Sequence, residues 1–163
     1  MKNRTATIER QTRETTIRGS LTLDGDRRIT VETGIGFLNH MLTSLAFHAG
    51  WDLDLQCSGD LEIDDHHTAE DCAIALRDSN DRAHGERVGI DRFGWAFAPL
   101  DEALARAVVE LCGRPWAEVD LGLDREILGI LAPEKVTHVF VSMAMSLMAA
   151  VHIDVLRGEN DHH

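Results

Sequence analysis

Polar and apolar residues alternate through residues 5–23, a period of two that predicts one or two half-buried strands. Asp24-Gly25-Asp26 then turns the chain into a further strand over 28–32, and Thr33-Gly34-Ile35-Gly36 breaks that strand and releases a helix over 37–48. Alternation returns at 51–57 and at 61–64, which predicts strands on either side of a Ser58-Gly59 turn. A second helix is expected from the His66 region to about Ala83, stopped at His84-Gly85. Residues 92–98 are strand-like, and Pro99 is expected to start a new element. Residues 100–112 stay ambiguous: Ala and Leu favour a helix, while Ala105, Ala107, Val109 and Leu111 at alternate positions allow a strand. A strand over 116–121, a loop around Gly129 and Pro133, a helix over 134–150 and a strand over 151–156 complete the pattern.

The order of these elements repeats, and so does their chemistry. Asp65-His66-His67 reappears as Asp161-His162-His163, and a lone histidine opens the helical segment before each pair, His40 in the first half and His138 in the second. His40-x-x-x-Ser44-Leu45-Ala46 matches His138-x-x-x-Ser142-Met143-Ala144, and Gly59-Asp60 is echoed by Gly158-Glu159. A unit repeated once is a duplicated half-domain. The expected fold is α+β: a single domain over 1–163 built of half-repeats at about 1–90 and 91–163, each a mostly antiparallel sheet with helices packed on one face.

Composition narrows the function. A formal net charge of −12 argues against nucleic acid or an anionic membrane as partner, because both demand basic patches. The longest apolar run, 139–151, is interrupted by two serines and falls short of the roughly 20 residues of a membrane span. Cys57, Cys72 and Cys112 form no C-x-x-C pair, and with no signal-like N-terminus this fits a reduced, cytoplasmic chain. Nine histidines are many for 163 residues, and six of them fall inside the repeats.

His66-His67-x-x-Glu70 at a helix start places Glu70 on a face with one of the histidines, because residues three or four apart are neighbours on a helix. Adjacent residues diverge by about 100°, so His66 and His67 suit two different ions. Imidazole with carboxylate and no thiolate fits Mn, Fe, Co or Zn. Paired histidines also cap helices or form surface polar clusters; the repetition is what favours metal.

Several segments resemble the imidazoleglycerol-phosphate dehydratase family of histidine biosynthesis: Thr33-Gly34-Ile35-Gly36-Phe37-Leu38-Asn39-His40, Asp64-Asp65-His66-His67-Thr68-Ala69-Glu70-Asp71, Arg92-Phe93-Gly94, Pro99-Leu100-Asp101-Glu102, Gly113-Arg114-Pro115 and Arg157-Gly158-Glu159-Asn160-Asp161-His162-His163. The wording is nearest to fungal members. The resemblance implies a lyase that dehydrates imidazole glycerol phosphate to imidazole acetol phosphate with two manganese ions, held by His40, His66, His67, Glu70, His138, His162 and His163. It implies that Glu14 acts in proton transfer, that Arg92 and Arg114 contact phosphate, and that His48 lies on the substrate side, where His40, His66, His67 and Glu70 also meet the substrate. Trimers assembling into a large shell, with metal sites at subunit contacts, are implied as well.

The chain departs from the family pattern in places. Asn39 stands where the family usually has Asp, Arg77-Asp78-Ser79-Asn80-Asp81 is polar where the family helix is small and apolar, and Ile130 replaces an acidic residue. The sequence stops at His163, before an expected Glu ligand and a phosphate-binding Lys, so an incomplete second repeat and poor stability alone are expected. Two other readings stand beside the dehydratase: a truncated, non-catalytic metal-binding or assembly form, and a dinuclear metallohydrolase of phosphoesters.

Overall fold

In this computed structural model, residues 4–123 and 133–160 are described. Among them, residues up to Arg87 form one compact unit and residues from Val88 onward form another. In the first unit the chain runs β1 (Thr5–Gln11), β2 (Thr15–Thr22), β3 (Ile29–Glu32), α1 (Gly36–Ala49), β4 (Asp52–Gly59) and α2 (His66–His84). The sheet order is β1-β2-β4-β3. β1 and β2 form a hairpin, β2 and β4 are antiparallel, and β3 pairs parallel to β4. A parallel neighbour needs a crossover, and α1 supplies it.

The period-two pattern explains the burial. Ala6, Ile8, Ile17, Leu21, Leu53 and Leu55 point from the sheet into the core, and the residues between them face outward. Leu38, Leu42 and Ala46 of α1 close over one side of that face, beside β3. α2 crosses β1 and β2 through Ala69, Cys72, Ala73 and Leu76. Small residues at these positions let the helix lie close to the strands. A left-handed Gly50 ends α1, its φ of 72° being a conformation few other residues adopt cheaply.

The second unit repeats the plan with β5 (Phe93–Leu100), β6 (Ala103–Glu110), β7 (Trp116–Asp120), α3 (Pro133–Ser146) and β8 (Ala150–Arg157). Its sheet order, β5-β6-β8-β7, reproduces the first, with β7 parallel to β8. The expected duplicated α+β fold is therefore present. Ala144, Ala149 and Val151 centre a small core against Val109, Leu111, Ala117, Leu147 and Ile153. Among the described residues this unit carries one helix, which packs on β7 and β8. β5 is exposed along its whole length, Phe93, Trp95 and Phe97 included.

Three expectations about elements are corrected and one left open is settled. Residues 61–64 form a turn, not a strand: Ile63 N–H bonds Asp60 O at 2.8 Å, and local polar bonds outweigh a short alternation. Within 100–112, left open between helix and strand, Ala103–Glu110 form the strand β6, because β-pairing on both sides overrides the helical propensity of Ala and Leu. Pro99 lies inside β5 rather than starting an element, and β5 is an edge strand, the place where a missing N–H is tolerated. The helix expected over 134–150 ends at Ser146; Met148 takes a φ of 48° and the apolar run continues as β8. The loop around Gly129, Ile130 among it, lies outside the described residues.

The contrast between the two sheets is measurable. Leu55→Ala should lower the stability of the chain by about 3 kcal/mol in urea unfolding, because Leu55 is fully buried. Trp95→Ala should change it by less than about 0.5 kcal/mol, since Trp95 is 72% exposed. A loss of several kcal/mol at Trp95 would mean that β5 is covered.

Candidate metal and catalytic site

The first turn of α2 carries the densest chemistry. Asp64 Oδ1 accepts the His66 N–H at 2.5 Å, which satisfies a helix-start donor and fixes the entry of the chain. From there His66 and His67 diverge, their rings 5.8 Å apart at 61°. His66 Nε2 stands 3.5 Å from Glu70 Oε2, one turn along the same face. Of the two histidines, His66 is the one that shares a face with Glu70. His67 turns to Asp60, whose two oxygens lie 3.2 and 3.1 Å from Nδ1. A carboxylate on Nδ1 holds the proton there and leaves Nε2 to act as a ligand. Donor type and orientation at this turn fit a divalent ion of the Mn–Zn series.

Among the described residues, no three His, Cys, Asp or Glu groups converge on one point. His66 and Glu70 come together, and His40 does not join them in a three-ligand cluster. His40 is exposed on α1 and His138 is half-buried on α3. His162 and His163 lie outside the described residues.

Asn39, beside His40, has a definite task. Its Oδ1 accepts both the Thr33 N–H at 2.9 Å and the Thr33 hydroxyl at 2.6 Å, locking the turn that leads into α1. Both bonds use the side-chain oxygen alone, so an Asp would serve equally and the departure from the family residue keeps the contact.

Glu14 sits in the β1–β2 turn, exposed. Its N–H donates to Thr12 Oγ1 at 3.2 Å, and its carboxylate is close enough to His67 to act on that ring electrostatically. His67 is held above its ordinary value, first by its hydrogen bond to the Asp60 carboxylate, against some desolvation, and then by the charges of Asp60, Glu14 and Asp64.

Sequence reasoning missed the support for this turn. Asp71, next to Glu70, faces the sheet, its side chain only 10% exposed. Arg10 donates to Oδ1 through Nε at 2.8 Å and Nη2 at 2.6 Å, and the Thr15 and Thr12 hydroxyls donate to Oδ2 at 2.5 and 3.2 Å. Burial alone would raise the Asp71 carboxyl, but the bonds from Thr15, Arg10 and Thr12 outweigh it and hold the group below its ordinary value. Arg10-x-Thr12-x-Glu14-Thr15 and the Asp of His66-His67-x-x-Glu70-Asp71 were the available signals; only their interlocking was invisible.

The remaining expected residues are spread out. Arg92 is engaged with Glu110 across β5 and β6 and lies over the Phe93 ring at 5.5 Å. Arg114 is exposed in the turn after Gly113. His48 ends α1, exposed and edge-on to Phe47 at 5.4 Å. Glu102, in the β5–β6 turn, accepts the N–H groups of Glu159 and Asn160 at 3.3 and 3.1 Å.

A duplicated α+β unit that sets paired histidines and a carboxylate at a helix start has the character of an enzyme with its chemistry at that turn. Comparison with known proteins gives the family: the imidazoleglycerol-phosphate dehydratase model matches residues 33–163. The chain is 48% identical to the imidazoleglycerol-phosphate dehydratase of Trichoderma harzianum over 98% of its own length and 88% of that protein's. For Phytophthora nicotianae the identity is 52%, over 98% of this chain and 35% of that longer protein. The crystal structure of the Staphylococcus aureus imidazoleglycerol-phosphate dehydratase superposes with a TM-score of 0.84 at 34% identity, covering 96% of this chain and 87% of that one. The Pyrococcus furiosus structure, in complex with (S)-C348, gives a TM-score of 0.73 at 31% identity, covering 95% of this chain and 82% of that one. This chain belongs to the imidazoleglycerol-phosphate dehydratase family. No described helix is long and apolar enough to cross a membrane.

The Asp60–His67 pair predicts a pH signature. In the metal-free chain His67 should titrate above its ordinary value of about 6.5, because Asp60 favours the protonated ring. Its contribution to stability is thus full below that ordinary value and is lost as pH rises through the raised one. Asp60→Asn should bring the His67 ring titration, followed by NMR, back down; an unchanged midpoint would remove Asp60 as the cause.

Proposed function

We propose that this chain dehydrates imidazole glycerol phosphate to imidazole acetol phosphate in histidine biosynthesis, using two manganese ions. The observation that carries this is the opening of α2, where His66 Nε2 stands beside Glu70 and Asp60 orients His67, in a member of the dehydratase family. The ligand set would be His40, His66, His67 and Glu70 from the first half, and His138, His162 and His163 from the second. A site completed between copies of the chain, in a trimer-based, shell-like assembly, belongs to the same reading.

When bound, divalent ions would supply the positive charge that holds the imidazole ring and draws electron density toward the departing hydroxyl. Glu14, exposed in the β1–β2 turn and near enough to His67 to act on it electrostatically, would accept the carbon-bound proton that must leave the neighbouring carbon. The guanidinium groups of Arg92 and Arg114 match the dianionic phosphate, and His48 would face the substrate. Arg92 reaches phosphate only by sharing or leaving Glu110, so that pair would open on binding. A cytoplasmic setting is consistent with the free thiols Cys57, Cys72 and Cys112.

Turnover of imidazole glycerol phosphate by the full chain with added Mn²⁺ should appear, vanish with a chelator, and fall by about 10²–10⁴-fold in Glu14→Gln. Light scattering should show larger particles with Mn²⁺ than without. Release of inorganic phosphate instead of dehydration would favour a metallohydrolase. Metal binding and assembly without turnover would favour a non-catalytic form.

A further inference from the structure

We propose that Asp71 is a positioning residue: its buried carboxylate ties the β1–β2 turn to the helix that carries His66 and Glu70, and thereby fixes where the Glu14 carboxylate stands. This rests on the reading of Glu14 as the proton-transfer group.

The tether can be followed atom by atom. Asp71 follows Glu70 directly, so a rotation of about 100° sends one carboxylate outward and the other against the sheet. Oδ1 is taken by the Arg10 fork at 2.8 and 2.6 Å, which uses the end of β1. Oδ2 is taken by the Thr15 and Thr12 hydroxyls at 2.5 and 3.2 Å, one from each end of the turn. An ionised carboxylate has no proton to give, so both hydroxyls must donate to it. With both protons committed, the 3.1 Å contact between the Thr12 and Thr15 hydroxyls carries none. The lone pairs of Thr12 Oγ1 are then free for the N–H groups of Glu14 at 3.2 Å and Thr15 at 3.0 Å. The path Asp71–Thr12–Glu14 therefore runs from the residue beside a metal ligand to the backbone of the proposed base.

A purely structural salt bridge would need Arg10 alone. Two threonine hydroxyls aimed at the opposite oxygen, one of them also holding the Glu14 amide, are what a turn of fixed geometry requires. Proton transfer is sensitive to such placement, and a shift of about 1 Å can cost up to about 10²-fold in rate.

The test compares Asp71→Asn, Thr12→Val and Thr12→Ser in the full chain with Mn²⁺ present. Thr12 is the cleaner site, because its variants leave Arg10–Asp71 intact if Asp71→Asn fails to fold. Asp71→Asn and Thr12→Val should lower kcat by about 10–100-fold with KM and Mn²⁺ affinity within about threefold, and Thr12→Ser should restore kcat. Amide hydrogen exchange at Glu14 and Thr15 should quicken in Asp71→Asn and Thr12→Val while Ile17, in the strand core, stays protected. Unchanged exchange at Glu14 would overturn the tether. Faster exchange with unchanged kcat, or equal losses in KM and Mn²⁺ affinity, would overturn the positioning role. Absence of turnover in the unaltered chain would instead remove the reading of Glu14, leaving the exchange pattern to decide whether Asp71 orders the turn.

Discussion

The seating of α2 on the first sheet governs the site, because a single helical turn carries two histidines, a carboxylate and the anchor that joins them to the hairpin. That seating is tight. A Cβ on Gly59, at the end of β4, would stand 2.1 Å from the Thr68 hydroxyl, so only glycine lets the helix start approach the strand this closely. On the far side, Asp71 grips Arg10 and Thr15. Between these two fixed points His66, His67 and Glu70 have little freedom to drift, and Asp60 removes the remaining rotation of the His67 ring. Packing and hydrogen bonds thus hold these side chains in orientation before anything binds them.

The polar stretch at 77–81 shows how much of α2 departs from a simple apolar stripe. Ser79 and Asn80 are buried, and the Ser79 hydroxyl returns to Leu76 O at 2.7 Å. Arg77 pairs with Asp78, and Arg87 with Asp81, so the charged members are neutralised locally. The helix accommodates these residues without losing its length, reaching His84 before Gly85.

Much of this was legible in the sequence. Period-two alternation marks β1 to β4, and the repetition of His40 and His66-His67 in His138 and His162-His163 marks two similar halves. What stayed hidden has physical reasons. Residues 61–64 alternate like a strand, but the Asp60–Ile63 turn bond decides them. β6 has helix-forming residues and becomes a strand only through its partners β5 and β8. The choice between His66 and His67 as the neighbour of Glu70 is a matter of side-chain rotation, which spacing does not encode. The Asp71 network joins residues about 60 positions apart, beyond the reach of any local pattern.

The hairpin turns of the two halves occupy the same place in the same topology, yet their acids have parted company. Glu102 spends one oxygen on the amides of Glu159 and Asn160, clasping the segment that leads to the second histidine pair. Glu14, by contrast, lies exposed in its turn, near enough to His67 to act on that ring electrostatically. That clasp ties Glu102 to a second segment of its own unit and fixes its position. Duplication thus gave this chain two copies of one turn, and the copies have diverged in what their acids hold.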